Sequence, residues 1–104
     1  MKTRFGFDKW VLEQITNVFE RFKNVDKVLL FGSRANQSYK NYSDIDLAVS
    51  GKNLTRDEFL KIFAAIDDLP LIYRLDLVQP DKLSNSGLKE KILEQGIEIY
   101  SAQK

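Results

Sequence analysis

Three aspartates on strand-like segments are the residues of this sequence best suited to chemistry. Asp44 and Asp46 are separated by one apolar residue, and Asp76 stands between two leucines. Side chains alternate along a strand, so Asp44 and Asp46 would project from the same face. Aspartate is depleted from strands, and two such carboxylates repel each other unless a cation lies between them. The pair alone fits equally well a polar strand face whose first residue, Asp44, frays into the loop.

Asp76 would add a third carboxylate if its strand pairs beside the one that carries Asp46. Mg²⁺ prefers carboxylate and phosphate oxygens and often takes only one or two protein carboxylates plus the substrate's phosphates. Three acids around one or two Mg²⁺ ions would suit in-line attack on phosphorus, with the metal neutralising the leaving pyrophosphate. The simpler interpretation of Asp76 is an ion pair with Arg74, two residues away on the same face.

A candidate phosphate-binding turn follows the apolar run at residues 27–31. It consists of Gly32, Ser33 and Arg34. Glycine lets the backbone approach a ligand closely, and a helix that begins at Ser33 would direct free N–H groups at an anion. Taken alone, a glycine and a serine after a strand more often form a plain turn. Likewise, an exposed arginine is more often solvated than bound to a ligand.

Composition narrows the chemistry that is available. The chain has 104 residues without cysteine or histidine, which excludes thiolate chemistry, a zinc site and a histidine general base. The net charge of +1, from 16 basic and 15 acidic residues, gives no electrostatic case for nucleic-acid binding. No apolar run is long enough to span a bilayer, and the N-terminus lacks the apolar core of a signal peptide. A cytoplasmic protein without membrane contact is expected.

The elements that must position these residues alternate between helix and strand. Thr55 and Glu58 have capping-box spacing, which predicts where the second helix begins. The order helix-strand-strand-helix-strand-helix, with a closing strand at 97–100, predicts one α/β (α+β) domain over residues 1–104, a small mixed β-sheet with helices packed on it. Apolar periodicity places the other helices and strands at residues 8–24, 27–31, 44–49, 73–78 and about 83–95.

The chain resembles the polymerase-beta-like nucleotidyltransferases, most of all their minimal stand-alone branch, the MNT proteins. The resemblance rests on Gly32-Ser33-Arg34-Ala35, on Ser43-Asp44-Ile45-Asp46-Leu47 and on the later Asp76 in a strand. It covers nearly the whole chain and implies the polymerase-beta-like nucleotidyltransferase fold. The sequence departs from the family at Gln37, where the usual residue is a glycine that helps to shape the turn after the phosphate loop.

The resemblance also implies a role for each matching residue. The Gly32-Ser33 turn would contact the triphosphate, and Arg34 would be a cation that braces the phosphates. Asp44 and Asp46 would be the Mg²⁺ ligands. Asp76 would complete the metal-binding, catalytic set and activate the acceptor hydroxyl.

The function that the resemblance implies is transfer of AMP from ATP to a hydroxyl on a partner protein. Minimal members are commonly paired with a HEPN protein, and many pairs look like toxin–antitoxin systems in which the MNT protein neutralises a HEPN ribonuclease. One small domain has little surface to enclose a base or an acceptor, so a homo- or hetero-oligomer is expected. The alternative is an inactive binding module that neutralises its partner by contact, which Gln37 favours and the intact aspartates oppose. A template-directed polymerase is disfavoured by the neutral charge.

Overall fold

The structure, a computed structural model that describes residues 3–102, alternates helices and strands in the predicted order. The elements are α1 (Lys9–Glu20), β1 (Lys27–Phe31), β2 (Ile45–Ser50), α2 (Arg56–Asp67), β3 (Leu75–Val78), α3 (Ser86–Gln95) and β4 (Ile97–Ser101). Short 3₁₀ turns follow β1 at Gly32–Arg34 and β3 at Pro80–Lys82. The predicted limits of the domain, residues 1 and 104, lie outside the described residues. None of the helices in residues 3–102 has the length and apolar character to cross a membrane.

The four strands form one mixed sheet in the order β3-β2-β1-β4. β1 is antiparallel to both β2 and β4, whereas β2 and β3 are parallel. The register sets Asp46 on β2 directly beside Asp76 on β3. The predicted mixed sheet is therefore confirmed, and the pairing of β2 with β3, the condition for adding Asp76 to the carboxylates, is present.

Helices pack on both faces of the sheet. The main core, on the face covered by α1 and α2, includes Val11, Ile15, Phe19, Ile62, Val28, Leu30 and Leu47. On the opposite face, α3 buries Ile92 against Leu29 and Ala48. Because side chains alternate along β2, Asp46 shares this second face with Ala48. Asp46 is only partly buried, so α3 leaves that end of the face accessible.

Local hydrogen bonds explain where the first two helices begin and end. Asp8 is the N-cap of α1, as predicted, but the helix ends at Glu20 and not near Asn24. The amide of Asn24 instead donates to both carboxylate oxygens of Glu58 at 3.0 and 2.9 Å, which fixes it outside the helix. The predicted capping box is confirmed, because Thr55 Oγ1 accepts from the Glu58 N–H and Glu58 accepts from the Thr55 N–H.

Candidate functional site

Asp46 is the centre of an acidic cluster on the sheet face that carries α3. Its backbone partner across the parallel pair is Asp76. Burial raises the pKa of the Asp46 carboxyl above its ordinary value of 3.8, and the charges of Asp76 and Asp44 raise this pKa further. The register of the parallel pair places Asp76 beside Asp46, and Asp44 lies one residue before β2.

Asp44 reaches the cluster from just outside the sheet. β2 begins at Ile45, one residue later than predicted, and the Ile45 N–H donates to the Arg74 carbonyl at 2.9 Å. The start of the strand therefore differs from the predicted one by one residue, and the shared face of Asp44 and Asp46 stays a prediction. The charge of Asp44 contributes to raising the pKa of Asp46.

Asp76 lies on β3, an edge strand that begins at Leu75, two residues later than predicted. Its Oδ1 lies 3.7 Å from Nε of Arg74, so the ion pair that the sequence suggested is present. The two side chains are 46% and 77% exposed, respectively, and an exposed pair of this kind holds its partners only weakly. Asp76 is therefore open to a ligand or an acceptor despite the ion pair.

The acidic cluster suits a divalent cation that a nucleotide also coordinates. Within residues 3–102, no group of three or more acidic side chains is arranged to hold a metal ion unaided. Burial and the neighbouring carboxylates of Asp76 and Asp44 nevertheless raise the pKa of Asp46. Mg²⁺ commonly binds through one or two carboxylates and completes its shell with phosphates and water. The donor set therefore fits Mg²⁺ bound together with phosphates better than a closed protein cage.

Gly32 joins the turn after β1 to the acidic cluster. Its φ of +77° is in the left-handed region that favours glycine. A Cβ at this position would overlap Oδ2 of Asp46. The Gly32 carbonyl accepts the N–H groups of Ala35 and Asn36 at 3.1 and 3.2 Å, so the helical turn begins one residue earlier than predicted. No side chain at Gly32 therefore separates its backbone from the Asp46 carboxylate.

Gln37 occupies the position at which the resemblance leads one to expect glycine. Its φ is +64°, and it is the only non-glycine with a positive φ in the described part of the chain. The loop thus keeps the backbone conformation that glycine favours, although a left-handed residue with a side chain costs about 1–2 kcal/mol. Gln37 therefore strains the loop, because it holds a left-handed conformation that glycine would adopt at less cost.

We expect Gln37→Gly to raise the free energy of unfolding by about 0.5–1 kcal/mol. Glycine removes the left-handed strain, and the gain is reduced by the greater freedom of glycine in the unfolded chain. Chemical denaturation would measure the change, with Gln37→Ala as the control that keeps a Cβ and the strain. A glycine variant no more stable than the alanine variant would contradict this account of the loop.

Arg34 is fully buried, with 1% of its surface exposed, so the interpretation of a solvated arginine is wrong. Its guanidinium donates to the carbonyls of Phe5, Asn41 and Ser43 at distances from 2.8 to 3.4 Å. The aromatic rings near the guanidinium are those of Phe7, Tyr39 and Tyr73. Arg34 therefore ties the N-terminal segment to the residues that lead into β2, and these contacts direct it away from the phosphate-binding role expected of it.

Arg34→Lys should lower the free energy of unfolding by about 2–3 kcal/mol, because one ammonium group cannot reach three carbonyls in different directions. Arg74→Lys is the matched control, since the Arg74 side chain is 77% exposed and such changes usually stay within about 0.5 kcal/mol. Urea denaturation of both variants would measure the difference. Equal stability of the two would show that the buried hydrogen bonds of Arg34 contribute little.

A cleft with a volume of about 310 Å³ lies between the turn after β1 and α3. The turn contributes Gly32 and Ser33, and α3 contributes Leu88, Lys91 and Gln95. Sequence reasoning missed the α3 residues because the spacing of a helix identifies its apolar face and not what its polar residues approach. The cleft and the acidic cluster meet at Gly32, which touches both.

This combination of fold and site defines a class of protein. A glycine-serine turn follows β1 of a mixed sheet, and the aspartates lie just before or on β2, which pairs with β1, and on β3, the strand beyond it. This arrangement is that of the nucleotidyltransferases. Residues 13–104 match the family model described as "Polymerase beta, Nucleotidyltransferase". The chain belongs to this family, which confirms the resemblance seen in the sequence.

Solved structures show the same fold. A toxin–antitoxin complex with AMP-PNP matches with a TM-score of 0.66 and 21% identity, over 88% of this chain and 74% of that chain. The MntA–HepT toxin–antitoxin matches with a TM-score of 0.58 and 20% identity, over 90% and 73%. A complex of tri-AMPylated HEPN toxin from Shewanella oneidensis with an MNT antitoxin matches with a TM-score of 0.59 and 20% identity, over 90% and 72%. No curated protein matches the sequence significantly.

Proposed function

We propose that this chain is a Mg²⁺-dependent nucleotidyltransferase that transfers AMP from ATP to a hydroxyl of a HEPN-type partner protein, as the antitoxin of a toxin–antitoxin pair. The observation that carries the proposal is the register that sets Asp46 beside Asp76, with the Asp46 carboxylate against the backbone of Gly32. The nucleotide and the acceptor are suggested by the similar complexes, one of which contains AMP-PNP and another a tri-AMPylated HEPN toxin.

In this proposal the turn after β1 receives the triphosphate. The absence of a side chain at Gly32 lets backbone N–H groups approach a phosphate, and the hydroxyl of Ser33 donates to a phosphate oxygen. Asp44 and Asp46 would hold Mg²⁺, with Asp76 as a further ligand. Such an ion would supply the positive charge that neutralises the triphosphate and the departing pyrophosphate.

Asp76 acts on the acceptor in the proposed transfer. Its partly exposed carboxylate accepts the proton of the acceptor hydroxyl, and the hydroxyl oxygen forms a bond to the α-phosphorus of ATP. The bond from that phosphorus to the bridging oxygen of the β-phosphate breaks, and pyrophosphate leaves. The products are an adenylylated partner and pyrophosphate. Because β3 is an edge strand, a partner can approach Asp76 from the side.

The second candidate function is a binding module that neutralises its partner by contact alone. It is favoured by the lack of a self-sufficient three-carboxylate metal site within residues 3–102. The other feature in its favour, the absence of glycine at position 37, is weakened by the left-handed backbone that Gln37 adopts.

The two functions are separated by following label from ATP to a candidate HEPN partner. ATP labelled at the α-phosphate should transfer label to the partner in the presence of Mg²⁺ and not in the presence of EDTA. ATP labelled only at the γ-phosphate is the control, because nucleotidyl transfer releases that phosphate in pyrophosphate. Transfer of the γ-label would indicate phosphoryl transfer. Neutralisation of the partner without any label would identify a binding module.

A further inference from the structure

The turn after β1 has no free cation of its own. Arg34, the arginine of the glycine-serine motif, is buried and donates to three backbone carbonyls. A triphosphate bound at Gly32 and Ser33 would also lie next to the negative charge around Asp46. A cationic side chain within reach would strengthen the binding of such a polyanion, because a charge-assisted hydrogen bond to phosphate is roughly twice as strong as a neutral one.

Lys91 lies on the wall of the cleft that α3 contributes. Among the described residues that line the cleft, Lys91 is the only cation. The next residue, Ile92, is buried against Leu29 and Ala48 and fixes this turn of α3 on the sheet. A lysine stem is flexible and carries a compact charge, which suits it to follow a phosphate group across a cleft.

Lys89 shows that this placement is specific to position 91. Its Nζ lies 3.8 Å from Oδ1 of Asp81, so Lys89 is directed towards the turn after β3. Residues two apart on a helix lie about 200° apart around its axis, and Lys89 does not line the cleft. The helix therefore carries one lysine directed at the cleft and one of the same type directed elsewhere.

We propose that Lys91 binds the phosphates of the nucleotide and favours a triphosphate over a monophosphate. The inference rests on the proposed function and deepens it, because it assigns to α3 the cation that the motif arginine does not provide. Lys91 is a binding residue in this assignment, and the acidic cluster remains the site of chemistry.

Calorimetric titration with ATP and with AMP, both with Mg²⁺, tests the assignment. Lys91→Met removes the charge and keeps the length of the side chain, and it should weaken ATP binding about tenfold or more while it changes AMP binding much less. Lys91→Arg keeps the charge and should bind ATP within about threefold of wild type. Lys89→Met is the matched control and should bind both nucleotides like wild type.

Each of the other outcomes would contradict either the role of Lys91 or the proposed function. Wild-type ATP affinity in Lys91→Met would overturn the role of Lys91 and leave the proposed function intact. If Lys91→Met lost affinity for ATP and AMP equally, Lys91 would not bind the β- and γ-phosphates, which only ATP carries. A wild-type protein that binds no ATP would overturn the proposed function together with this inference. Thermal unfolding of each variant checks that it is folded. We expect the variants at position 91 to fold, because that position is exposed.

Discussion

The Asp44→Asn/Asp46→Asn variant is expected to lose Mg²⁺-dependent ATP binding and yet to fold more stably than wild type in the absence of metal. Neutral amides are much poorer Mg²⁺ ligands than carboxylates, so the metal and the phosphates that share it should be lost together. In the metal-free protein, burial and the charges of Asp76 and Asp44 raise the pKa of Asp46. Ionised Asp46 therefore opposes folding, and its replacement removes that cost.

The stability difference should depend on pH in a defined direction. Because folding raises the pKa of Asp46 above 3.8, the folded protein holds this proton more tightly than the unfolded chain does. Wild-type stability therefore falls as the pH rises from 3.8 through the raised pKa. The variant lacks this titration, so its advantage should be fully present above that window and should diminish as the pH falls through it.

Denaturation in EDTA at pH 4 and pH 7, together with ATP titration with and without Mg²⁺, checks both expectations. Glu90→Gln/Glu94→Gln, at two exposed positions on α3, is the control for the loss of two negative charges elsewhere. Unchanged Mg²⁺-dependent affinity in the double variant would remove the two aspartates from the proposed metal site. A double variant less stable than wild type at pH 7 would contradict the repulsion inferred from the pKa of Asp46.

Asp76→Asn should slow transfer of the α-label to the partner by about 10²–10⁴-fold and keep most of the ATP affinity. The variant loses the carboxylate that accepts the proton of the acceptor hydroxyl, a contribution of about that size in general base catalysis. Asp44 and Asp46 remain to hold the metal. The fold should persist, because the ion pair with Arg74 is exposed and such pairs contribute about 0–1 kcal/mol.

Single-turnover transfer and ATP titration would be measured for this variant beside Arg74→Met. The arginine variant breaks the same ion pair but retains the Asp76 carboxylate, so its transfer rate should stay near wild type. If both variants were equally slow, the effect would belong to the ion pair and not to proton transfer. If Asp76→Asn transferred label at the wild-type rate, Asp76 would have no catalytic role.

Much of the fold follows from local features of the sequence. The run at 27–31 is β1 with its predicted bounds, because a short apolar stretch closed by glycine has few alternatives to a buried strand. The capping box at Thr55 and Glu58 also predicts the start of α2 from local sequence, because its two residues lie within one turn of helix. The starts of β2 and β3 were predicted one and two residues too early, respectively. Pairing with a neighbouring strand decides these boundaries, and the local sequence does not show it.

The partners of single side chains were decided only by the tertiary structure. Nothing in the sequence near Arg34 distinguishes a solvated arginine from one that binds Phe5 and packs near Tyr73, because those residues lie 29 and 39 positions away in the sequence. Lys91 reaches the cleft only because α3 packs on the same sheet face that carries Asp46. Residue types and spacing restrict the chemistry available to a chain, whereas the packing of distant segments determines which charges are used inside the fold and which remain free for a ligand.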